Sequence, residues 1–367
     1  MHAARLAVVA LLAVGPFVEL AGCASPAPEE SAATIEAQLS EGDALVDVDQ
    51  LNLRAGPSTN DAVLAVMARG ERLRVRSGGT QNGFAPVTYA GQDGWAWEAY
   101  LKVAGPPAAV LPLADAVSAL AAEAPVRSPG TELGIAVMNL STGQYAGAGD
   151  EVRHVSASSA KVIWVAAAMH AGANVSDIAG PIFESSDNLL SGTAIDRAGG
   201  IDAVNEFYWN VVGMEKSITA NWSFGRTRRA TNQGLLGGDN YFTPRDVITF
   251  LSKLDKGVLL DAARTDVLRQ YMTTSPRSGW GGWLGTLLPP AARAQMMHKA
   301  GWLPPPTYAV STLNDVGIVQ VPGGDRYAIA LLARHGPDYS AEARFVERAS
   351  CVVYRSVSGD GSLGCGD

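Results

Sequence analysis

Ser156-Ala157-Ser158-Ser159-Ala160-Lys161, followed by the apolar run Val162 to His170, is the stretch on which the fold of this chain turns. The run holds no glycine or proline and reads as a buried helix. Ser158 stands at its start and Lys161 three residues on, which puts both side chains on one helical face. A helix N-terminus favours negative charge developing on a hydroxyl placed there. A lysine beside that hydroxyl takes its proton only when the amine is uncharged or relayed through water, and burial drives it toward the uncharged form.

Ser-x-x-Lys alone is a common pattern, and its weight here comes from two further motifs downstream. Ser186-Asp187-Asn188 comes next, and His298-Lys299-Ala300-Gly301 much later. Together and in this order they resemble the three elements of the penicillin-recognising serine enzymes, the class A β-lactamases and penicillin-binding D,D-peptidases. The intervening sequence agrees. Glu184 to Leu190 leads into a helix, Gly199-Gly200-Ile201-Asp202-Ala203-Val204 resembles the class A segment after Ser-Asp-Asn, and Thr243 to Val247 looks like the next helix start. Gly134 to Met138, Asn314 to Val319 and Tyr327 to Ala333 read as strands, with helices at Leu113 to Ala122 and at the C-terminus. The resemblance spans about Leu113 to Tyr354. It implies an α+β, β-lactamase/transpeptidase-like fold: an antiparallel sheet flanked by helices, plus a helical subdomain.

The resemblance also implies roles. Ser158 is the nucleophile and Lys161 its proton acceptor or relay. Ser186 passes a proton to the leaving nitrogen, and Lys299 supplies positive charge to the substrate carboxylate and to Ser186. Asn188, Gly301 and Trp302 bind substrate, with the N–H groups of Ser158 and Trp302 as the oxyanion hole. Three departures stand against the family pattern. Ser186 comes only 28 positions after Ser158, closer than in class A enzymes, so the helical subdomain is shortened. The stretch Lys216 to Tyr241 holds no glutamate to activate a deacylating water; Phe224 to Arg229 in its place is cationic. Ala300 stands where a Thr or Ser is usual. Glu184 is a substitute base or a surface acid.

Leu45 to Val103 shows short alternating strands broken by Gly-Pro, Gly-Gly and Asn-Gly turns, which predicts a small, strongly bent all-β barrel. Leu51 to Ser58 and Gly94-Trp95-Ala96-Trp97 with Tyr100-Leu101 resemble the opening and closing motifs of bacterial Src-homology-3-type domains. That resemblance implies a cell-wall-targeting module; Trp95, Trp97 and Tyr100 are ligand contacts or core.

The expected organisation is a lipoprotein signal peptide over 1–23, a disordered tether over 24–43, the barrel over 44–104, a linker over 105–112 and the serine-enzyme domain over 113–367. Leu20-Ala21-Gly22-Cys23 resembles a lipobox, which implies lipidation of Cys23, a membrane anchor and an exported, cell-envelope location. The apolar run before it falls short of the ~20 residues of a membrane span. In an oxidising compartment Cys351 and Cys365 either pair or stay as two thiols.

Net charge is −8, from 28 basic and 36 acidic residues, so nucleic acid is not an expected partner. Five histidines without a His-Glu-x-x-His and three cysteines without a Cys-x-x-Cys give no metal site, and no cofactor is expected. The sequence supports three functional readings: a serine hydrolase or acyltransferase acting on D-Ala-D-Ala-type peptidoglycan stems and β-lactams; a class A-like β-lactamase lacking the Ω-loop glutamate; and a non-catalytic peptidoglycan-binding lipoprotein.

Overall fold

The computed structural model describes residue 39 and residues 41–106, 108–222, 239–305 and 311–366. The lipobox with Cys23, most of the tether and the cationic Phe224–Arg229 stretch lie outside the described residues.

Seven strands make the small N-terminal domain: β1 (Gly42–Val46), β2 (Gln50–Arg54), β3 (Val63–Ala68), β4 (Arg72–Val75), β5 (Phe84–Tyr89), β6 (Gln92–Trp97) and β7 (Leu101–Val103). They form one antiparallel, curved sheet in the order β3-β2-β6-β5-β4-β1-β7. The alternating residues Leu51, Leu53, Leu73 and Val75 point inward with Val46, Met67, Val87 and Ala96, as period-2 patterning requires. Strand β1 starts inside the stretch read as tether, because Gly42 and Asp43 pair with Val75 and Arg74. Trp97 and Tyr100 stand 36% and 46% exposed, so neither is core. Trp97 instead lies edge-on to Phe84 and covers Gly83, where a Cβ would fall 2.6 Å from the indole.

The larger domain begins with α1 (Leu113–Arg127), which runs beyond Ala122, then β8 (Glu132–Asn139), β9 (Tyr145–Ala148) and β10 (His154–Val155). A 3-10 turn over Ala157–Ala160 opens into α2 (Lys161–His170). Helices α3 (Ala179–Glu184), α4 (Asn188–Arg197) and α5 (Ile201–Glu206) come after it. Beyond β11 (Tyr241–Phe242) lie α6 (Pro244–Asp255), α7 (Ala262–Met272), α8 (Pro290–Ala294), β12 (Met297–Leu303), β13 (Thr312–Gln320), β14 (Arg326–Arg334) and α9 (Tyr339–Ser358). The main sheet is antiparallel with order β12-β13-β14-β8-β9. One apolar core joins one face of this sheet to α2 and the helices around it, and a second lies between the other face and α1 with α9.

Local chemistry sets these boundaries. Asp187 caps α4 by accepting from Leu190 N–H at 2.8 Å, Thr243 caps α6 by accepting from Asp246 N–H at 3.2 Å, and Pro244 occupies the first turn. Helix α2 is buried along its whole length save His170, the outcome expected of a helix apolar all round.

Cys351 on α9 and Cys365 form a disulfide with Cα atoms 5.4 Å apart. It folds the C-terminal tail back against the small domain. There Gly364 N–H donates to Gly70 O at 3.0 Å, and Arg72 donates to Ser362 O and Gly105 O. Gly70 has φ +83°, and a Cβ on it would sit 2.5 Å from Gly364 O, so only glycine allows the approach.

Candidate active site

The turn that carries Ser158 is held from two sides. Ala157, just before Ser158, takes φ +44°, an uncommon conformation for alanine. Asn314 on β13 pins the turn from beneath, donating from Nδ2 to Val155 O at 2.7 Å and Ser156 O at 3.1 Å. Gly301 on β12 presses on it from the side: a Cβ there would lie 2.5 Å from Ser158 N and 2.4 Å from Ser159 N. The glycine of Lys299-Ala300-Gly301 is thus what lets the strand lie against the serine's own backbone. Because β12 is an edge strand, its outer row of backbone groups is left unpaired within the sheet.

Lys161 is fully buried. Its Nζ donates to Ser186 O at 2.5 Å and to Asn188 Oδ1 at 2.7 Å, and lies 3.0 Å from Ser186 Oγ. Burial pulls its pKa down to about 6, helped by the Lys299 ammonium and opposed by Asp187. The carbonyl and the amide oxygen only accept, so an uncharged Lys161 spends both N–H groups on them and keeps a lone pair for a proton. Ser186 itself is held at φ +59°, which lets its carbonyl and its hydroxyl address the same amine.

Lys299 is almost fully buried and reaches across from β12. Its Nζ lies 3.2 Å from Ser186 Oγ and donates to Ala300 O at 2.9 Å. Burial lowers its pKa to about 8, against a smaller upward pull from Asp315. Burial thus draws both lysines toward the amine, Lys161 further than Lys299, with Ser186 Oγ between them.

The structure brings Lys161, Ser186, Asn188 and Lys299 into one hydrogen-bonded group and sets the Ser158 backbone against Gly301; among the described residues the Ser158 hydroxyl makes no hydrogen bond with that group. Trp302 and Ala300 belong to the opposite face of β12, packed in or against the α1–α9 core. The Trp302 side chain joins Trp280 and Trp283 with ring centroids 5.8 Å and 5.6 Å away, so it points away from Ser158 and only its backbone lies on the strand beside it. Glu184 is exposed at the end of α3. His154 is buried, with burial lowering its pKa to about 3, and its ring packs where a Cβ on Gly134 would fall; it is a packing residue.

Two supporting groups escaped the sequence reading. Asn314 is one. The other is the buried pair behind the catalytic strand: His298 Nδ1 meets Asp315 Oδ1 at 2.8 Å, His298 Nε2 meets Pro276 O at 2.7 Å, and Asp315 Oδ2 accepts from Leu284 N–H at 3.0 Å. The available signal was Asn314-Asp315, two adjacent polar residues inside an otherwise apolar strand, which alternation sends to opposite faces. Among the described residues no group of His, Cys, Asp and Glu is arranged to hold a metal ion.

A five-stranded antiparallel sheet between two helical layers, with the buried Lys161 three residues after a half-buried Ser158, defines a β-lactamase/transpeptidase-type fold. The model of the β-lactamase enzyme family matches residues 169–357, over half of the sequence, and the chain belongs to that family. The match starts beyond Ser158 and Lys161, so their assignment rests on the motif and the geometry above. A bacterial SH3 domain model matches residues 49–102. Among solved structures, the TLA-1 extended-spectrum β-lactamase is 17% identical with TM-score 0.56, covering 66% of this chain and 98% of its own. A class A β-lactamase from Bacteroides cellulosilyticus is 19% identical with TM-score 0.56, covering 68% and 100%. A PBP-A variant solved as an acyl-enzyme complex with penicillin G is 21% identical with TM-score 0.55, covering 69% and 98%. At these identities the likeness is one of fold. No curated protein matches the chain.

Proposed function

We propose that this chain is an exported, wall-associated serine enzyme that forms an acyl-enzyme on Ser158 with D-Ala-D-Ala-type peptidoglycan stems and with β-lactams. The observation that carries the reading is the buried Lys161, three residues after Ser158 and linked through Ser186 Oγ to Lys299, with burial drawing Lys161 toward its uncharged form. Ser158 Oγ attacks the substrate carbonyl as its proton passes to Lys161. The oxyanion is held by the N–H groups of Ser158 and Trp302. Ser186 Oγ then gives its proton to the leaving nitrogen and recovers one from Lys161, while Lys299 fixes Ser186 Oγ and attracts the substrate carboxylate. The products are a Ser158 ester and a free amine, with every proton returned.

Hydrolysis of that ester needs a base to activate water. Its absence commonly costs about 10²–10⁴-fold in that step, and Lys216 to Tyr241 holds no glutamate. The ester is therefore long-lived toward water, which favours peptidase or transferase work over β-lactam turnover. The β-lactamase family match favours a second reading, steady β-lactam hydrolysis by another base. A wall location is supported by the SH3 domain match, by the signal-like residues ending at Cys23, and by a disulfide that suits an oxidising compartment.

Intact-mass spectrometry with penicillin G over time, beside Ser158→Ala, tests the proposal. The expected result is a persistent adduct of the penicillin's full mass that Ser158→Ala abolishes. An adduct that decays as hydrolysed penicillin accumulates would establish the second reading, and no adduct on the native chain would contradict both.

A further inference from the structure

The two domains enclose a cleft that the catalytic chemistry does not use. Its volume is about 440 Å³, and none of Ser158, Lys161, Ser186 or Lys299 lines it. Arg69 and Lys102 come from the small domain, and Arg127, Arg344 and Arg348 from α1 and α9. Against these five basic residues stand two acids, Asp47 and Glu347, in a chain whose formal net charge is −8. Charge gathered this way in a low-dielectric cleft concentrates positive potential.

The five cations are not equally engaged. Arg348 is fixed into the wall by Glu123 at 2.8 Å and by Cys365 O at 3.1 Å. The Cys351–Cys365 bond secures the tail that carries that carbonyl. Arg69, Lys102 and Arg127 pair with Asp49, Asp47 and Glu123, all at positions partly or largely open to solvent, and such pairs are weak enough to exchange partners. Arg344 is exposed and makes no ion pair among the described residues. Burial pushes the Glu347 carboxyl up to about 7, so at neutral pH much of it carries no charge.

We propose that this cleft binds a small polyacidic anion, bearing phosphate or carboxylate groups, that contacts both domains at once. The volume lies in the range of small-molecule sites. Guanidinium groups on opposing walls suit the paired oxygens of either acid. Arg344 and Arg69 are the principal contacts, one from each domain.

The test is calorimetric titration of pyrophosphate and of citrate into the full chain at constant ionic strength, with hydrogen exchange on the saturated protein. Expected is saturable 1:1 binding of at least one of the two, weakened at least tenfold by Arg344→Ala and further by the added Arg69→Ala. Exchange should slow in β1 to β4 and in α9 together. A tighter pyrophosphate complex identifies phosphate as the acid group, and a tighter citrate complex identifies carboxylate. Binding of neither anion would overturn the proposal. So would binding that survives the double arginine variant but is lost in Lys299→Met, since that places the anion at the catalytic site.

Discussion

The two faces of β12 carry different kinds of residue for different purposes. Toward Ser158 it presents Lys299, which meets Ser186 Oγ, and Gly301, which lies against the Ser158 backbone. Away from it point the side chains of His298, Ala300 and Trp302, of which His298 and Trp302 anchor the strand through Asp315, Pro276 and the Trp280–Trp283 cluster. On the proposed function, one face performs the chemistry and the other fixes where it happens. The difference predicts that front-face changes lower the acylation rate of a folded protein, whereas back-face changes lower the amount of folded protein.

The largest effect expected is on the front. Lys161→Met keeps the volume of the buried chain and removes the proton acceptor, so penicillin acylation should slow by about 10²–10⁴-fold with thermal stability retained or raised. Stopped-flow acylation beside a melting curve reads both. An unchanged rate would remove Lys161 from the mechanism.

Next is the back face. Asp315→Ala leaves His298 buried without its carboxylate, and breaking one side of a buried pair typically costs about 3–5 kcal/mol. Urea titration should show that loss, while the folded fraction acylates within a few-fold of the native rate. A large rate loss without a stability loss would place Asp315 on the chemical side of the comparison.

Smaller again is Gly301→Ala. Its methyl would press on Ser158 N and Ser159 N and shift the nucleophile's turn. Displacements near 1 Å cost about 10²-fold in rate, with the fold largely kept. A variant that acylates normally would show that the turn tolerates the displacement.

The same two faces explain what could be read from sequence. On the front side, Ser158, Lys161, Ser186, Asn188, Lys299 and Gly301 stand in short spaced motifs, which is the form in which a sequence displays them. Apolar periodicity also exposed the sheet and the buried α2. The back face is defined by contacts between distant positions, His298 with Asp315 and Asp315 with Leu284, and so is the front-side brace of the Ser158 turn, Asn314 with Val155. No local spacing encodes such pairs, so Asn314 and Asp315 read only as strand residues. The exposure of Trp97 and Tyr100 was likewise hidden, because alternation does not say which face of a small curved sheet is covered. The same holds for the cationic cleft, whose walls come from segments far apart in the chain.

The central claim is that Lys161 accepts the Ser158 proton while Lys299 keeps its own. The rate of Ser158 acylation by penicillin at low concentration, measured from pH 5 to 9, tests it most directly. Below about 6 Lys161 is protonated and cannot accept a proton, so the rate should climb through that pH. Above about 8 Lys299 loses the charge that holds Ser186 Oγ and the substrate carboxylate, so the rate should fall again. A bell with limbs near those values is the predicted result. A rate that stays flat from pH 5 to 7 would contradict the account, because it would mean that no group of Lys161's kind takes the proton.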